Sequence, residues 1–242
     1  MTLLNNRIAV VTGASSGIGA ATVTVLAEEG AEVAALARRA DRLTGLNATA
    51  FPTDVRDYTA VATAADRVRA DLGRPDLVVA NAGVMLAAAF ETADLGEWDE
   101  MISTNLTGML NTARAFIDDL IAAAAEGRPA DLFLIGSIAS SIVYPTYSVY
   151  GATKAAVPHL ARHLRAELGP RGVRVHNIDP GLVRSELGEG MLDASSRQAW
   201  TALRGSIPPL DGADIGAGIA WAAAAPPRMN VADMVIVSTR QG

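Results

Sequence analysis

Apolar and polar positions alternate in blocks along this chain. Short apolar runs occur at I-A-V-V-T (8–12), V-A-A-L-A (33–37), A-T-A-F-P-T (48–53), D-L-V-V-A (76–80), L-F-L-I-G (132–136), V-R-V-H-N-I (173–178) and M-V-I-V (234–237), and they read as strands. Between them lie helical patterns, such as Ile102, Leu106, Met109, Leu110, Ala113, Phe116, Ile117 and Leu120, whose three-and-four spacing gathers an apolar stripe on one face. Regular strand–helix alternation predicts an α/β fold: a doubly wound parallel sheet of about seven strands, right-handed crossovers and helices on both faces. The strands are apolar almost throughout, as strands covered on both sides must be. Pro52 lacks a ladder donor, which places the third strand at the sheet edge, where the doubly wound order 3-2-1-4-5-6 puts it. No repeat, linker or composition break divides the 242 residues, so one domain spanning 1–242 is expected. The least regular stretch, 185–210, falls between the last two strands.

Composition narrows the function classes. Half of the residues are hydrophobic and 19% are charged, the balance of a folded globular chain. A net charge of -6 disfavours nucleic acid or an anionic membrane as a general partner, while leaving room for a local basic pocket. The absence of cysteine excludes disulfides, thiolate catalysis and zinc–thiolate sites, and fits a reducing compartment. Apolar helical stretches are broken by Asp118, Asp119 and Glu126 or end at Pro226, short of a membrane span. The start M-T-L-L-N-N-R has no signal-peptide pattern. A cytoplasmic location is the expectation.

The first strand runs into T-G-A-S-S-G-I-G and then a helical segment. Gly13, Gly17 and Gly19, with Ser15, Ser16 and Ile18 between them, allow a tight turn that brings a helix N-terminus against a pyrophosphate; the alternative is glycines serving βα packing alone. No Lys follows the last glycine, so a nucleoside-triphosphatase loop is excluded. The end of the second strand reads the cofactor's ribose. Ala37 stands where an acid would accept from a 2′-hydroxyl, and Arg38 and Arg39 follow, suited to a 2′-phosphate. NADP(H) is therefore expected over NAD(H), unless the arginines only solvate the next helix. Asp54, beside Val55, is placed to accept from an adenine amino group or to cap the following helix.

G-x-x-x-G-x-G at 13–19, A-N-A-G at 80–83 and Y-x-x-x-K at 150–154, in this order, resemble the short, single-domain branch of the short-chain dehydrogenase/reductase family. The resemblance spans essentially the whole chain and implies a Rossmann-like fold with a catalytic quartet. Asn105 in N-L-T-G matches the structural and proton-relay asparagine, Ser137 in I-G-S the serine that steadies the substrate oxygen, and Tyr150 with Lys154 the proton-transfer pair. It also implies that Asn81, Ala82 and Gly83 support the cofactor pocket, and that P-G-L-V-R-S, through Pro180, Gly181, Val183 and Ser185, holds the nicotinamide end. The C-terminal segment is similar to the NADP-dependent group of hydroxy-acid, serine and clavulanate-type aldehyde dehydrogenases. Homodimers or homotetramers are usual in the family. Two departures stand out: His176 replaces a usual Asn, and Pro158 lies in the helix of the catalytic pair, where it removes the bond to the Lys154 carbonyl.

Tyr150 and Lys154 sit one helical turn apart and share a face. To trade protons near neutrality the phenol should titrate about three pH units below its free value, a differential of roughly 4 kcal/mol. One positive charge about 4 Å away at an effective dielectric near 20 supplies roughly that amount, whereas burial would oppose it. The expected activity is hydride exchange between a nicotinamide and a small-molecule carbonyl or alcohol. A silent dinucleotide sensor on the same fold is the alternative, and it would need no proton donor. His159 and His163 share a helix face but lack a third ligand, so no metal site is expected. Met191, Leu192, Trp200, Leu203 and Ile207 suggest an apolar lid at about 185–210, or else plain packing of a helix pair; Tyr144 and Tyr147 are further candidates for the pocket.

Overall fold

The computed structural model describes residues 3–241. Its elements run β1 (Ile8–Thr12), α1 (Gly17–Glu28), β2 (Glu32–Ala37), β3 (Thr49–Pro52), α2 (Tyr58–Asp71), β4 (Leu77–Ala80), α3 (Leu95–Met101), α4 (Gly108–Ala125), β5 (Asp131–Ile135), α5 (Ser148–Leu168), β6 (Arg174–Pro180), α6 (Ala194–Ser206), α7 (Gly212–Ala223) and β7 (Asp233–Ile236). The strands form one sheet in the order β3-β2-β1-β4-β5-β6-β7, every neighbouring pair parallel. This is the Rossmann-like architecture expected. Pro52 ends the edge strand β3, where its missing N–H breaks no central ladder.

Strand periodicity sorts the core into two layers. Val10, Leu36, Val78, Leu132, Leu134 and Val175 point to one face and pack with Val61 and Val68 of α2, Phe116 and Leu120 of α4, and Val157 and Ala161 of α5. Their neighbours Val11, Val33, Val79, Phe133 and Ile178 point the other way, against Val23 and Leu26 of α1 and Ile215 and Ile219 of α7. Burying a side chain of this size stabilises by about 1.5–3 kcal/mol, so the two layers hold the sheet in place and fix the positions of its strand ends.

The two ends of the sheet differ in chemistry. At the N-terminal ends of the strands, Asp131 is fully buried among Arg7 (2.7 Å), Arg174 (2.8 Å) and His176 (2.9 Å), and Arg7 also holds Asp76 at 2.6 Å. His176 stacks on Phe133 at 4.1 Å between ring centroids. The departure at position 176 thus packs into a buried ion cluster far from the loops at the opposite end. Helix α5 continues through Pro158 from Ser148 to Leu168, so the proline does not interrupt the helix that carries the Tyr–Lys pair.

Candidate functional site

The loops at the C-terminal ends of β1 to β6 enclose a cleft of about 440 Å³, in the crevice where a doubly wound sheet reverses its strand order. Every residue proposed from sequence for cofactor contact lines it: Gly13, Ser15, Ser16, Gly17, Ile18, Gly19, Arg38, Arg39, Asp54, Val55, Asn81, Ala82, Gly83, Tyr150, Lys154, Pro180, Gly181, Val183 and Ser185. Ser137 lines it as well. Asn105 does not; it stands one layer behind, fully buried.

The glycine loop is built for close approach. Gly13 has φ +68, a left-handed conformation, and a Cβ there would meet Ala82 Cα at 2.8 Å. A Cβ on Gly19 would run into the Gly13 carbonyl and come within 2.6 Å of Asn81 Nδ2. Asn81 in turn donates through Nδ2 to the Thr12 carbonyl (2.8 Å), and its N–H donates to Thr12 Oγ1 (3.0 Å), which ties β4 to β1 beneath the loop. The Ser16 side chain does not cap α1, so the first-turn amides and the positive end of the helix dipole are directed at the cleft. This donor set suits a pyrophosphate, and the glycine cradle has no room for side chains.

At the outer end, Arg39 donates to Ser15 Oγ (3.2 and 3.0 Å) and Ser16 Oγ (2.9 Å), which lays its guanidinium along the loop. Asp54 is held by Arg56 through contacts of 3.0, 3.0 and 2.6 Å, and that pairing keeps its carboxyl below the usual range. It does not cap α2. Asp57 does, accepting from the Thr59 N–H at 2.8 Å, which removes the capping alternative for Asp54.

At the inner end, Tyr150 and Lys154 are both buried. Lys154 Nζ donates to the Ile135 carbonyl at 2.9 Å and lies 6.0 Å from the centroid of the Tyr150 ring. Ser137 is anchored through its N–H to Asp179 Oδ1 (2.9 Å), and Asp179 Oδ2 accepts from Asn177 Nδ2 (2.8 Å). The expectation of a phenol lowered by its lysine is not met. Burial pushes the Tyr150 phenol up to about 12, with Tyr147 and Asp179 acting in the same direction and the Ser137 hydrogen bond opposing. Burial likewise pulls Lys154 down to about 8, against the attraction of Asp179. Desolvation thus exceeds the charge effect that the sequence argument set against it.

Asn105 sits in a wide π-type turn, Ile102–Thr107, between α3 and α4. Its Oδ1 accepts from the Val84 N–H (2.8 Å), and its Nδ2 donates to the Val84 carbonyl (2.9 Å) and to Thr153 Oγ1 (3.1 Å). It therefore locks the loop after β4 to the helix that carries Tyr150. A third apolar cluster surrounds Tyr150, formed by Met85, Leu86, Met101 and Met191 with Tyr147, Leu187 and Trp200 packed against it. Of the residues suggested for a lid, Met191 is buried here and Trp200 lines the cleft, while Leu192 is exposed. Tyr147 meets Tyr150 edge-on at 6.4 Å and Tyr144 lies behind it; neither forms the cleft wall. His159 and His163 face each other on the surface at 3.2 Å, and among the described residues no group of three potential ligands could hold a metal ion. No helix among them is long and apolar enough to cross a membrane.

Sequence reasoning missed four participants. Thr12 and Thr153 look like ordinary strand and helix residues, Asp179 falls just past the run read as the sixth strand, and Glu186 reads as a loop charge. Only the fold brings them to the site.

Comparison with known proteins converges on one family. The family model described as short chain dehydrogenase matches residues 7–195. An uncharacterized oxidoreductase of Staphylococcus aureus (strain N315) is 33% identical, over 98% of this chain and 99% of that protein. Sulfoacetaldehyde reductase 2 of Chromohalobacter salexigens is also 33% identical, over 97% of this chain and 95% of its own length. The closed form of a serine dehydrogenase complexed with NADP+ superimposes with a TM-score of 0.86 at 29% identity, over 95% of this chain and 94% of that one.

Proposed function

The chain belongs to the short-chain dehydrogenase family of oxidoreductases, and from that premise we propose that it is an NADP(H)-preferring reductase of small-molecule carbonyls, with Tyr150 as proton donor. The observation that carries this reading is a single cleft that joins a glycine cradle and two arginines at one end to Tyr150, Ser137 and Lys154 at the other. The loop amides of 13–19 would hold the cofactor's pyrophosphate, Arg38 and Arg39 its 2′-phosphate, and Lys154 its nicotinamide ribose. When bound, the reduced nicotinamide supplies a hydride to a carbonyl carbon.

The chain's own groups handle the oxygen. Ser137 holds it by a hydrogen bond, and Tyr150, kept protonated by burial, gives it a proton. The phenolate left behind is stabilised by the Ser137 hydroxyl and by the charge on Lys154, whose position the Ile135 carbonyl fixes and whose protonation Asp179 favours. Leu187, Trp200, Met85 and Leu86 wall the inner end, and the segment at 185–210 acts as the lid over it. The cations of the cleft wall among the described residues are Arg38, Arg39 and Lys154, and the two arginines lie at the far end, so a neutral aldehyde or ketone fits better than an anionic one.

The test is a panel of neutral and anionic aldehydes and ketones with NADPH or NADH, followed by nicotinamide absorbance. Turnover of neutral carbonyls with NADPH favoured is expected, and replacing both Arg38 and Arg39 by Ala should weaken NADPH far more than NADH. Tight cofactor binding with no turnover across the panel would overturn the enzymatic reading.

A further inference from the structure

Glu186 belongs to the segment that follows Ser185, yet its carboxylate reaches across the mouth of the cleft to the opposite wall. Its Oε2 accepts from Arg39 Nη1 at 3.0 Å and its Oε1 from Arg42 Nη1 at 2.5 Å. The same Arg39 is the guanidinium laid along Ser15 and Ser16. Arg42, in the short 3-10 turn Ala40–Leu43, is a third cation at this end, beside Arg38 and Arg39, that the sequence alone did not single out. The two arginines hold the Glu186 carboxyl below its usual range, so it is an anion throughout the neutral pH region.

We propose that Glu186 determines cofactor specificity by competing with the 2′-phosphate of NADP(H) for Arg39 and Arg42. The proposal rests on the reading that Arg39 faces the 2′-phosphate at the adenosine end of the cofactor, and extends it to Arg42, which shares the Glu186 carboxylate with Arg39. A carboxylate and a phosphate are both anions that use paired N–H donors of guanidinium groups, so they cannot share the same donors without like-charge repulsion. Phosphate binding must displace Glu186, and the loss of its two ion pairs subtracts from the affinity for NADP(H). A cofactor with a 2′-hydroxyl leaves the ion pairs in place and avoids that cost. Glu186 therefore holds the preference for NADP(H) below what the arginines alone would give.

The displaced carboxylate is also attached to the candidate lid. The carbonyl of Leu187 accepts from Trp200 Nε1 at 2.9 Å, and that of Ser185 from Arg204 Nη2 at 2.9 Å, so the segment on either side of Glu186 is fastened to α6. Both tethers come from the helix whose Trp200 lines the inner end of the cleft.

The experiment measures dissociation constants for NADPH, NADH, 2′,5′-ADP and 5′-ADP on the full chain and on Glu186→Gln, Glu186→Ala and Arg39→Ala. Both Glu186 variants should tighten NADPH and 2′,5′-ADP by about three- to tenfold, the yield of two exposed ion pairs, and change NADH and 5′-ADP by less than about twofold. The gain should fade in concentrated salt. Weaker or unchanged binding of 2′,5′-ADP to both Glu186 variants would overturn the proposal, as would equal tightening of the ligands with and without the phosphate. Arg39→Ala separates the two levels. If it weakens 2′,5′-ADP selectively while the Glu186 variants do nothing, competition fails and the phosphate reading stands; if it weakens all four ligands alike, the phosphate reading fails and takes the proposal with it.

Discussion

Lys154 Nζ lies 6.0 Å from the centre of the Tyr150 ring and gives a hydrogen bond to the carbonyl of Ile135, at the end of β5. The ammonium is thus fixed to the sheet rather than free to follow the phenol. A buried phenol that titrates at about 12 stays protonated across the neutral range and is ready to donate. Under the proposed function such a pair suits reduction, and the lysine would matter most after the proton has left, when a phenolate has to be stabilised in a dry pocket.

Replacing Tyr150 by Phe removes the donor and keeps the ring that packs against Met85 and Tyr147. The kcat of carbonyl reduction should fall by about 10²–10⁴, the usual contribution of general acid catalysis, while the NADPH dissociation constant moves by less than about threefold. Steady-state kinetics and a cofactor fluorescence titration check both. Retained turnover would end the assignment of Tyr150 as the proton donor.

Asp179 supports the positive charge on Lys154 and opposes ionisation of Tyr150. The substitution Asp179→Asn is sterically mild: Asn177 Oδ1 has no partner, so its amide can turn over and accept from the new side chain. Loss of the charge should lower the titration of both Lys154 and Tyr150. In the wild type, kcat/KM for reduction should decline as pH rises through about 8, where Lys154 loses its proton. In Asp179→Asn that decline should begin at lower pH. A pH–rate profile decides it, and an unmoved alkaline limb would remove Asp179 from the mechanism.

The buried ammonium destabilises the fold. Lys154 titrates at about 8 in the folded chain and near 10.4 when unfolded, so between those values the unfolded chain binds more protons and stability rises with pH. Below about pH 8 the full penalty applies, on the order of 3 kcal/mol at 1.36 kcal/mol per pH unit. Tyr150 works with the opposite sign at higher pH: it holds its proton up to about 12, so stability falls once pH exceeds the free phenol value near 10. Lys154→Met should therefore be inactive yet more stable than the wild type at pH 7, with the gap closing towards pH 10. Urea unfolding at the two pH values measures it. A destabilised variant at pH 7 would mean that the bond to Ile135 outweighs the desolvation penalty.

Much of this architecture is legible in the sequence because its signals are local. Apolar runs located the strands to within a few residues, and Pro52 placed β3 at the edge. The stripe from Ile102 to Leu120 read as one helix and concealed the π-type turn at Ile102–Thr107, since a single wide turn barely disturbs the spacing of apolar positions. Asp179 was invisible for a different reason: β6 extends to Pro180, past the apolar run, and its carboxylate is tolerated there because the Ser137 N–H after β5 and the Asn177 side chain two residues earlier in β6 satisfy it. Glu186 and Arg42 are far apart in sequence and meet only when the loop after β6 folds over the loop after β2. The direction of the Tyr150 titration went wrong because sequence reveals the neighbouring charge but not the depth of burial.

The opposite end of the sheet offers a separation of stability from catalysis. Asp131 neutralises Arg7 and Arg174 and accepts from His176 inside the protein, at the N-terminal ends of β1, β5 and β6. Changing it to Asn strands the buried Arg174 guanidinium without a countercharge and leaves Arg7 with Asp76 alone, and breaking such a cluster costs about 3–5 kcal/mol. Nothing in the cluster lines the cleft, so the variant should unfold at markedly lower urea concentration while the fraction that remains folded keeps its kcat and its NADPH affinity. A second change, Arg174→Met in the Asp131→Asn background, should recover part of the loss by removing the stranded charge, and the double-mutant cycle measures the coupling. If Asp131→Asn instead lowers kcat with unfolding unchanged, the two ends of the sheet communicate, and the division of labour between ion cluster and cleft is wrong.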